Sequence, residues 1–369
     1  MGNKTMPRAS GSSGGDASMN TSDTSKTTVV RAELAGALEP FPNFRFSMTE
    51  RLAPGTPVAA VTTESGRIFI AGAGIYRFLA GSSTVEHRAI PAELGFPISI
   101  AAEPTPPHRI AFGAEGGDVV IFTDTQETHT ITIHPFTDPR GQLRAIDLAW
   151  VTGENGSALF ALTDDGALHR MQDGGWGGLV LPPVRAIARD ELGGFAALTV
   201  VDGVPKVYVS RDGGDTWQLR KFGLDLEVEP DAPASLAIAG SAVAITVGDS
   251  GPILSRSHTR PVSRYPGLDR ARSVAFQGHS RESWLWVGLC RSRDELANVT
   301  IITAKGEPFK AMEFEADDLE PLDLGPIHWD ESRNELLISS RLGLLGMGPE
   351  WLGKPRARRA RARAAKTAA

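Results

Sequence analysis

Residues 58 to 90 read VAAVTTESGRIFIAGAGIYRFLAGSSTVEHRAI. Four short apolar runs, Val58–Thr63, Arg67–Gly72, Ile75–Ala80 and Thr84–Ile90, are separated by Gly, Ser and Glu. The separators are turn formers, and the runs are too short for helices and the right length for strands. One such quartet makes a small sheet with two apolar faces, which has to be stacked between neighbours to bury them.

The quartet recurs along the chain. Ile98–Glu103, Arg109–Ala114, Val119–Asp124 and Thr128–His134 form a second group. Leu143–Val151, Ala158–Thr163, Ala167–Gln172 and Trp176–Leu181 form a third, and further groups begin near Arg185, Ser235, Ser273 and Pro326. Four strands repeated every ~40–50 residues is the signature of propeller blades. The expected fold is therefore all-β, a single β-propeller of seven four-stranded blades beginning near 58, 98, 143, 185, 235, 273 and 326. Two stretched intervals leave six or eight blades open.

The last group has three strands, Pro326–Asp330, Glu335–Ser340 and Leu344–Gly348. The run 44–48, Phe44 to Met48, is expected to supply the fourth and tie the ends of the ring together, with Thr28–Leu34 as the alternative. Closure of this kind removes open sheet edges. The expected organisation is a disordered leader over 1–27, the propeller over 28–350 and a basic disordered tail over 351–369. Turns from second to third strands carry Gly74, Gly116, Gly166, Gly203, Gly251 and Gly343, as tight hairpins require. Trp150, Phe276 and Trp329 end three of the first strands, where packing between blades is expected.

Ser210-Arg211-Asp212-Gly213-Gly214-Asp215-Thr216-Trp217 fits S-x-D-x-G-x-T-W at every specified position. This octet resembles the Asp-box (BNR) repeat of sialidases, sortilin-type receptors and photosystem-assembly propellers. The wider pattern, over roughly residues 43–350, is similar to WD40/YVTN/BNR-like propellers. The resemblance implies a structural turn built on Ser210, Asp212, Gly214, Thr216 and Trp217, placed between the third and fourth strands of blade four.

A sialidase-like member would bring an arginine cluster, a Tyr–Glu pair and an acid on the channel face. Tyr76 and Tyr208 fall on third strands, Tyr265 is expected on an outer strand, and the F/Y-R-I-P signature is absent. Asp147, on an inner strand, is the most inward carboxylate and is expected to line the channel; His328 is expected to be a hydrogen-bonded structural histidine. Cys290, the one cysteine, lies in an apolar run and is expected in the core. A single thiol excludes an intramolecular disulfide framework and any Cys-rich zinc site. No metal motif, phosphate loop or catalytic constellation stands out, so the reading leans away from an enzyme and includes no cofactor.

Charge is more informative. The 369 residues carry a formal −6. The stretch 354–369 holds seven cations and no anions, including Arg356, Arg358, Arg359, Arg361 and Arg363, so the rest of the chain stands at −13. In a propeller, the loops between blades and the second-to-third-strand turns share one end. The loops hold Asp225, Glu227, Glu229, Asp231, Asp317, Asp318 and Glu320, and the turns hold Glu115, Asp118, Asp164, Asp165, Asp202 and Asp249. An acidic face is expected there, attracting basic partners and repelling nucleic acid. The function read from these features is a non-catalytic protein-interaction scaffold. Two alternatives stay open: an Asp-box glycan-active or glycan-binding protein, and nucleic-acid association through 354–369. With no export signal and no membrane-length apolar stretch, the expected location is the cytoplasm, and the Arg- and Ala-rich composition suggests a bacterial source.

Overall fold

In the computed structural model, strand backbone is described at Val30–Arg31 and between Met48 and Met347, with breaks, and side chains between Gly95 and Ile338, with breaks of which the longest are 123–142 and 312–323. Seven sheets of four strands succeed one another along the chain, one of them extended by a fifth strand, beside a small hairpin of Thr137–Asp138 and Gly141–Gln142. Their inner strands are Pro57–Thr63, Pro97–Ala102, Ala145–Gly153, Val184–Arg189, Ala234–Ala239, Ala271–Gln277 and Leu324–Asp330. Each inner strand packs against the next and the last packs against the first, so the ring closes into a β-propeller. Helix is confined, among the described residues, to the three-residue turn Pro266–Leu268.

The N-terminal segment closes blade seven: Met48–Arg51 pairs antiparallel with Gly343–Met347. The described part of the closing strand overlaps the expected run, 44–48, at Met48, and Phe44 to Ser47 lie outside the described residues. Of Thr28–Leu34, Val30–Arg31 is described. It runs parallel to Ser263–Arg264 as the fifth strand of blade five rather than closing the ring. The leader over 1–27 and the tail over 351–369 lie outside the described residues.

Core layers lie between successive blades. Ala111, Val119 and Ile121 of blade two meet Leu148, Trp150 and Leu159 of blade three. Blades three and four meet through Phe160, Leu162, Phe195 and Ala197, with the Phe160 and Phe195 rings 4.7 Å apart. Trp286 of blade six stacks on Trp329 of blade seven at 5.8 Å and 14°. Fully burying such side chains is worth about 1.5–3 kcal/mol each for aliphatics and more for the rings, which makes these layers the source of the ring's rigidity. Tyr265 joins the layer between blades five and six, 1% exposed and just past its outer strand, so its expected outer-strand position is corrected to a buried one.

The hairpin signal of the sequence has a local cause. In blade four, Asp202 (φ +53) and Gly203 (φ +74) are both left-handed, the pair of conformations a two-residue type I′ turn needs.

A second regularity is invisible in the sequence. Six of the seven inner strands shift register near their start: at Pro57/Ala59, Pro97/Ser99, Ala145/Asp147, Val184/Ala186, Ala271/Ser273 and Leu324/Ile327. Blade five pairs regularly from Ala234 onward. Each bulge leaves an extra residue unpaired and re-aims its side chain. Four of these residues, Ile98, Ile146, Arg185 and Arg272, line one mouth of the axial channel.

Candidate functional site

The channel has two ends. At the upper end, where inner strands begin, second-to-third-strand turns are hydrogen-bonded to the loops between blades. Glu115 N–H donates to Phe96 O (2.7 Å), Val184 N–H to Gly166 O (2.7 Å), Val228 N–H to Gly203 O (2.8 Å) and Gly248 N–H to Pro233 O (2.8 Å). Both kinds of connection therefore share one end, and with them Glu115, Asp164, Asp165, Asp202, Glu227, Glu229, Asp231 and Asp249, all exposed. Two of these acids are paired, Asp164 with Arg144 and Asp249 with Arg272. Asp225, Asp317, Asp318 and Glu320 lie outside the described residues, as do Arg356, Arg358, Arg359, Arg361 and Arg363.

Below this rim lies a cavity of about 810 Å³, and a second of about 340 Å³ opens at the other end. Asp147, Ile100, Ile187, Leu236, Val274 and Ile327 line both, so they mark the waist of the channel. Asp147 is half-buried there, and its Oδ1 accepts the Leu148 N–H at 2.9 Å. Burial among aliphatic side chains pushes its carboxyl up to about 7, against which one hydrogen bond is a small correction. His328 is exposed toward the lower cavity, whose lining also includes Arg189, Asp190 and His279. Cys290 lies past the end of its strand, half-buried against the upper cavity rather than in the core, because its N–H is drawn to Arg270 O (3.0 Å) in the neighbouring loop.

Two arginines and a carboxylate do line the upper cavity, as a glycan site would need. Arg272, however, is committed to Asp249 and to Gly248 O (2.9 Å), and Asp147 is the one acid among the described lining residues. Glycoside hydrolysis needs two opposed carboxyls. Among the described residues no group of three or more His, Cys, Asp or Glu converges as a metal site would.

The octet 210–217 joins the third strand of blade four, Val204–Ser210, to its fourth, Gln218–Arg220. Ser210 Oγ donates to Asp212 Oδ1 (2.7 Å) and accepts the Gly214 N–H (2.8 Å). Asp212 also accepts the N–H groups of Asp215 (3.1 Å) and Thr216 (2.9 Å) and the Thr216 hydroxyl. What burial Asp212 has works against its charge, but the bonds from Thr216 and Ser210 outweigh it and hold the carboxyl at about 2. Trp217 donates to Gly214 O (3.2 Å) and packs on Phe195. Gly214 (φ +92) lies so close to Phe160 of blade three that a Cβ would overlap its ring. The turn is thus a wedge between blades, fully engaged with its own backbone.

Sequence reasoning missed what else holds the lower end. Arg220, 3% exposed, donates to Ser241 O (2.5 Å), Ser255 O (3.3 Å) and Ser255 Oγ (2.7 Å), all in blade five. Burial, with Arg211 nearby, pulls its pKa down to about 10. Arg256 repeats the device one blade on, donating to Arg281 O (2.7 Å), Ser283 O (2.8 Å) and Thr303 O (2.6 Å). Arg170 pairs with Asp215, and Arg211 reaches Gly240 O and Asp190. Asp190 is itself bonded by the N–H groups of Leu192, Gly194 and Gly240. These arginines occupy different strand positions, so no spacing in the sequence announces them.

No protein-family model matches the sequence, and no curated protein matches it. Solved structures do match, and what they share with the chain is the β-propeller fold. A structure of YCF48 bound to a D1 peptide superposes with a TM-score of 0.60 at 12% identity, covering 85% of this chain and 100% of that one. A chain of a mitotic checkpoint complex gives 0.58 at 15% identity over 88% and 99%. The Myceliophteria thermophila Cps50 (Swd1) propeller domain gives 0.58 at 12% over 82% and 99%. At these identities the likeness is one of fold. No helix among the described residues is long and apolar enough to cross a membrane.

Proposed function

We propose that this propeller is a non-catalytic interaction scaffold whose acid-rich upper end receives a basic segment of a partner protein. The observation that carries the proposal is the pairing pattern. Glu115, Asp202, Glu227, Glu229 and Asp231 are exposed at the upper turns, while three cations of that end are already engaged and Arg185 stands at the mouth. Arg144 is tied to Asp164, Arg272 to Asp249, and Arg270 to Cys290 O. Unpaired surface acids clustered at one end of a rigid body steer basic partners and speed their association. The YCF48 structure, a propeller of like fold, holds a peptide, which makes peptide capture a reasonable use of this architecture.

The test uses the full chain as bait in extracts of its own host, beside a variant with Asp202, Glu227, Glu229 and Asp231 changed to Lys. The expected result is one or more basic proteins retained by the native chain at low salt and lost from the variant. Retention of the same proteins by both overturns the acidic-end reading.

A further inference from the structure

The upper rim is mostly polar, and its exposed apolar side chains are few: Phe96 (57%), Ile146 (45%), Val180 and Val204. Phe96 directly precedes the inner strand of blade two, and Ile146 is the bulged residue at the start of the inner strand of blade three. Ile98 continues them into the mouth. The bulges at Pro97/Ser99 and Ala145/Asp147 explain why two isoleucines face the opening, since each leaves its middle residue out of the ladder. Ser99 Oγ donates to Ala145 O at 2.6 Å, so the two strand starts are fastened side by side and the apolar residues form one patch.

The same two blades supply the patch with charge. Glu115 and Asp118 lie on the turn bonded to Phe96 O, and Asp164 and Asp165 on the turn whose Asp164 N–H donates to Arg144 O at 3.1 Å. Against these four acids the described residues of those turns and loops offer one cation, Arg144, so the sector carries a net negative charge. Arg272 stands on blade six, and Arg185 borders the sector from blade four, next to Val184, whose N–H donates to Gly166 O. The mouth is therefore two-sided, with an apolar and acidic side over blades two and three.

We infer that this side is an anchor site for a protein segment in which a large apolar side chain is followed or flanked by Lys and Arg. The apolar side chain covers Phe96, Ile98 and Ile146, and the cations meet Glu115, Asp118, Asp164 and Asp165. The inference rests on the scaffold reading above and narrows it to one sector and one pattern. Charge alone would be satisfied at any acidic turn of the upper end. Phe96, Ile98 and Ile146 select this one, because a hot spot needs several apolar side chains that the partner can dehydrate together, and at the other upper connections Val180 and Val204 lie on separate blades' loops and turns.

The chain itself contains a segment of the required pattern, Trp351-Leu352 followed by the seven cations of 354–369, and a labelled peptide of residues 349–369 is a suitable probe. Its binding to the intact protein is measured by fluorescence anisotropy, beside the same peptide with Trp351→Ala and Leu352→Ala. The expected result is about tenfold weaker binding of the alanine peptide. Phe96→Ser with Ile146→Ser should weaken the native peptide about tenfold and leave the alanine peptide unchanged. Both positions are exposed, and an unaltered melting temperature verifies the variant's fold. Charge-dependent binding that ignores both apolar substitutions overturns the anchor site and leaves the scaffold reading standing. Indifference of both peptides to Glu115→Lys with Asp118→Lys, and to Lys at Asp202, Glu227, Glu229 and Asp231, overturns both.

Discussion

The two ends of the channel use charge in opposite ways. At the lower end arginines turn inward: Arg220 and Arg256 are buried and each hydrogen-bonds the backbone of the next blade. At the upper end acids turn outward and are exposed, two of them, Asp164 and Asp249, in surface pairs with arginine. A buried guanidinium that satisfies three acceptors acts as a covalent-like strap, whereas an exposed carboxylate contributes little to folding. The difference assigns stability to one end and leaves the other free to vary in recognition.

The largest effect expected from this contrast is at a strap. Arg256→Met keeps the aliphatic bulk and deletes the guanidinium, leaving the carbonyls of Arg281, Ser283 and Thr303 without their donor. Losing a fully engaged buried group costs about 3–5 kcal/mol, read as a shift in urea midpoint. A loss below about 1 kcal/mol would mean that the lower end is not strapped and would dissolve the comparison.

Next in size is Gly214→Ala in the octet. The new methyl would have to displace the Phe160 ring from the layer between blades three and four, in a backbone conformation alanine resists. Overpacking with added backbone strain costs about 2–3 kcal/mol. Binding at the upper end should be unchanged while the fold holds. An equal loss of binding and stability would show that the two ends are coupled.

How far these features could be read from sequence follows from their locality. Strand quartets, the Asp202–Gly203 turn and the octet are each specified within a few residues, and their positions were legible. The octet joins the third and fourth strands of blade four, as its spacing requires. Inner-strand bulges and arginine straps depend instead on a partner blade. Ile98, Ile146, Arg185 and Arg272 share a structural position but are apolar in two blades and cationic in two, so no single motif marks the mouth they line. The same reason hid the pairing of Met48–Arg51 in blade seven and of Val30–Arg31 in blade five, since both span most of the chain. The acidic turns were visible as composition, but which of them lie beside exposed apolar residues was not.

A third test falls between the ends, at Asp147. Its carboxyl titrates near 7 in the folded channel against an ordinary value of 3.8. The folded state therefore binds this proton more tightly than the unfolded state does. Stability contributed at this site is full below about pH 4, falls as the pH rises toward 7, and is flat above. Asp147→Asn keeps an acceptor for the Leu148 N–H and removes the titration. Solvent reaching the channel screens the charge, so the variant should gain about 1 kcal/mol at pH 8 and nothing at pH 4. A variant no more stable at pH 8 than the native chain would place the carboxylate in water rather than at an apolar waist.

The smallest expected change in stability is also the one that bears most on recognition. Arg144→Ala breaks an exposed pair with Asp164 at 2.9 Å, and such pairs are worth at most about 0.5 kcal/mol. Its melting temperature should match that of the native chain within error. The substitution also removes the one described cation from the acidic sector of blades two and three, so a basic peptide should bind more tightly, by about two- to threefold at low salt and not at high salt. Unchanged binding would mean that the sector's charge is not felt by the partner. Weaker binding would mean that Arg144 itself is a contact, and either result would move the recognition surface away from Glu115 and Asp118.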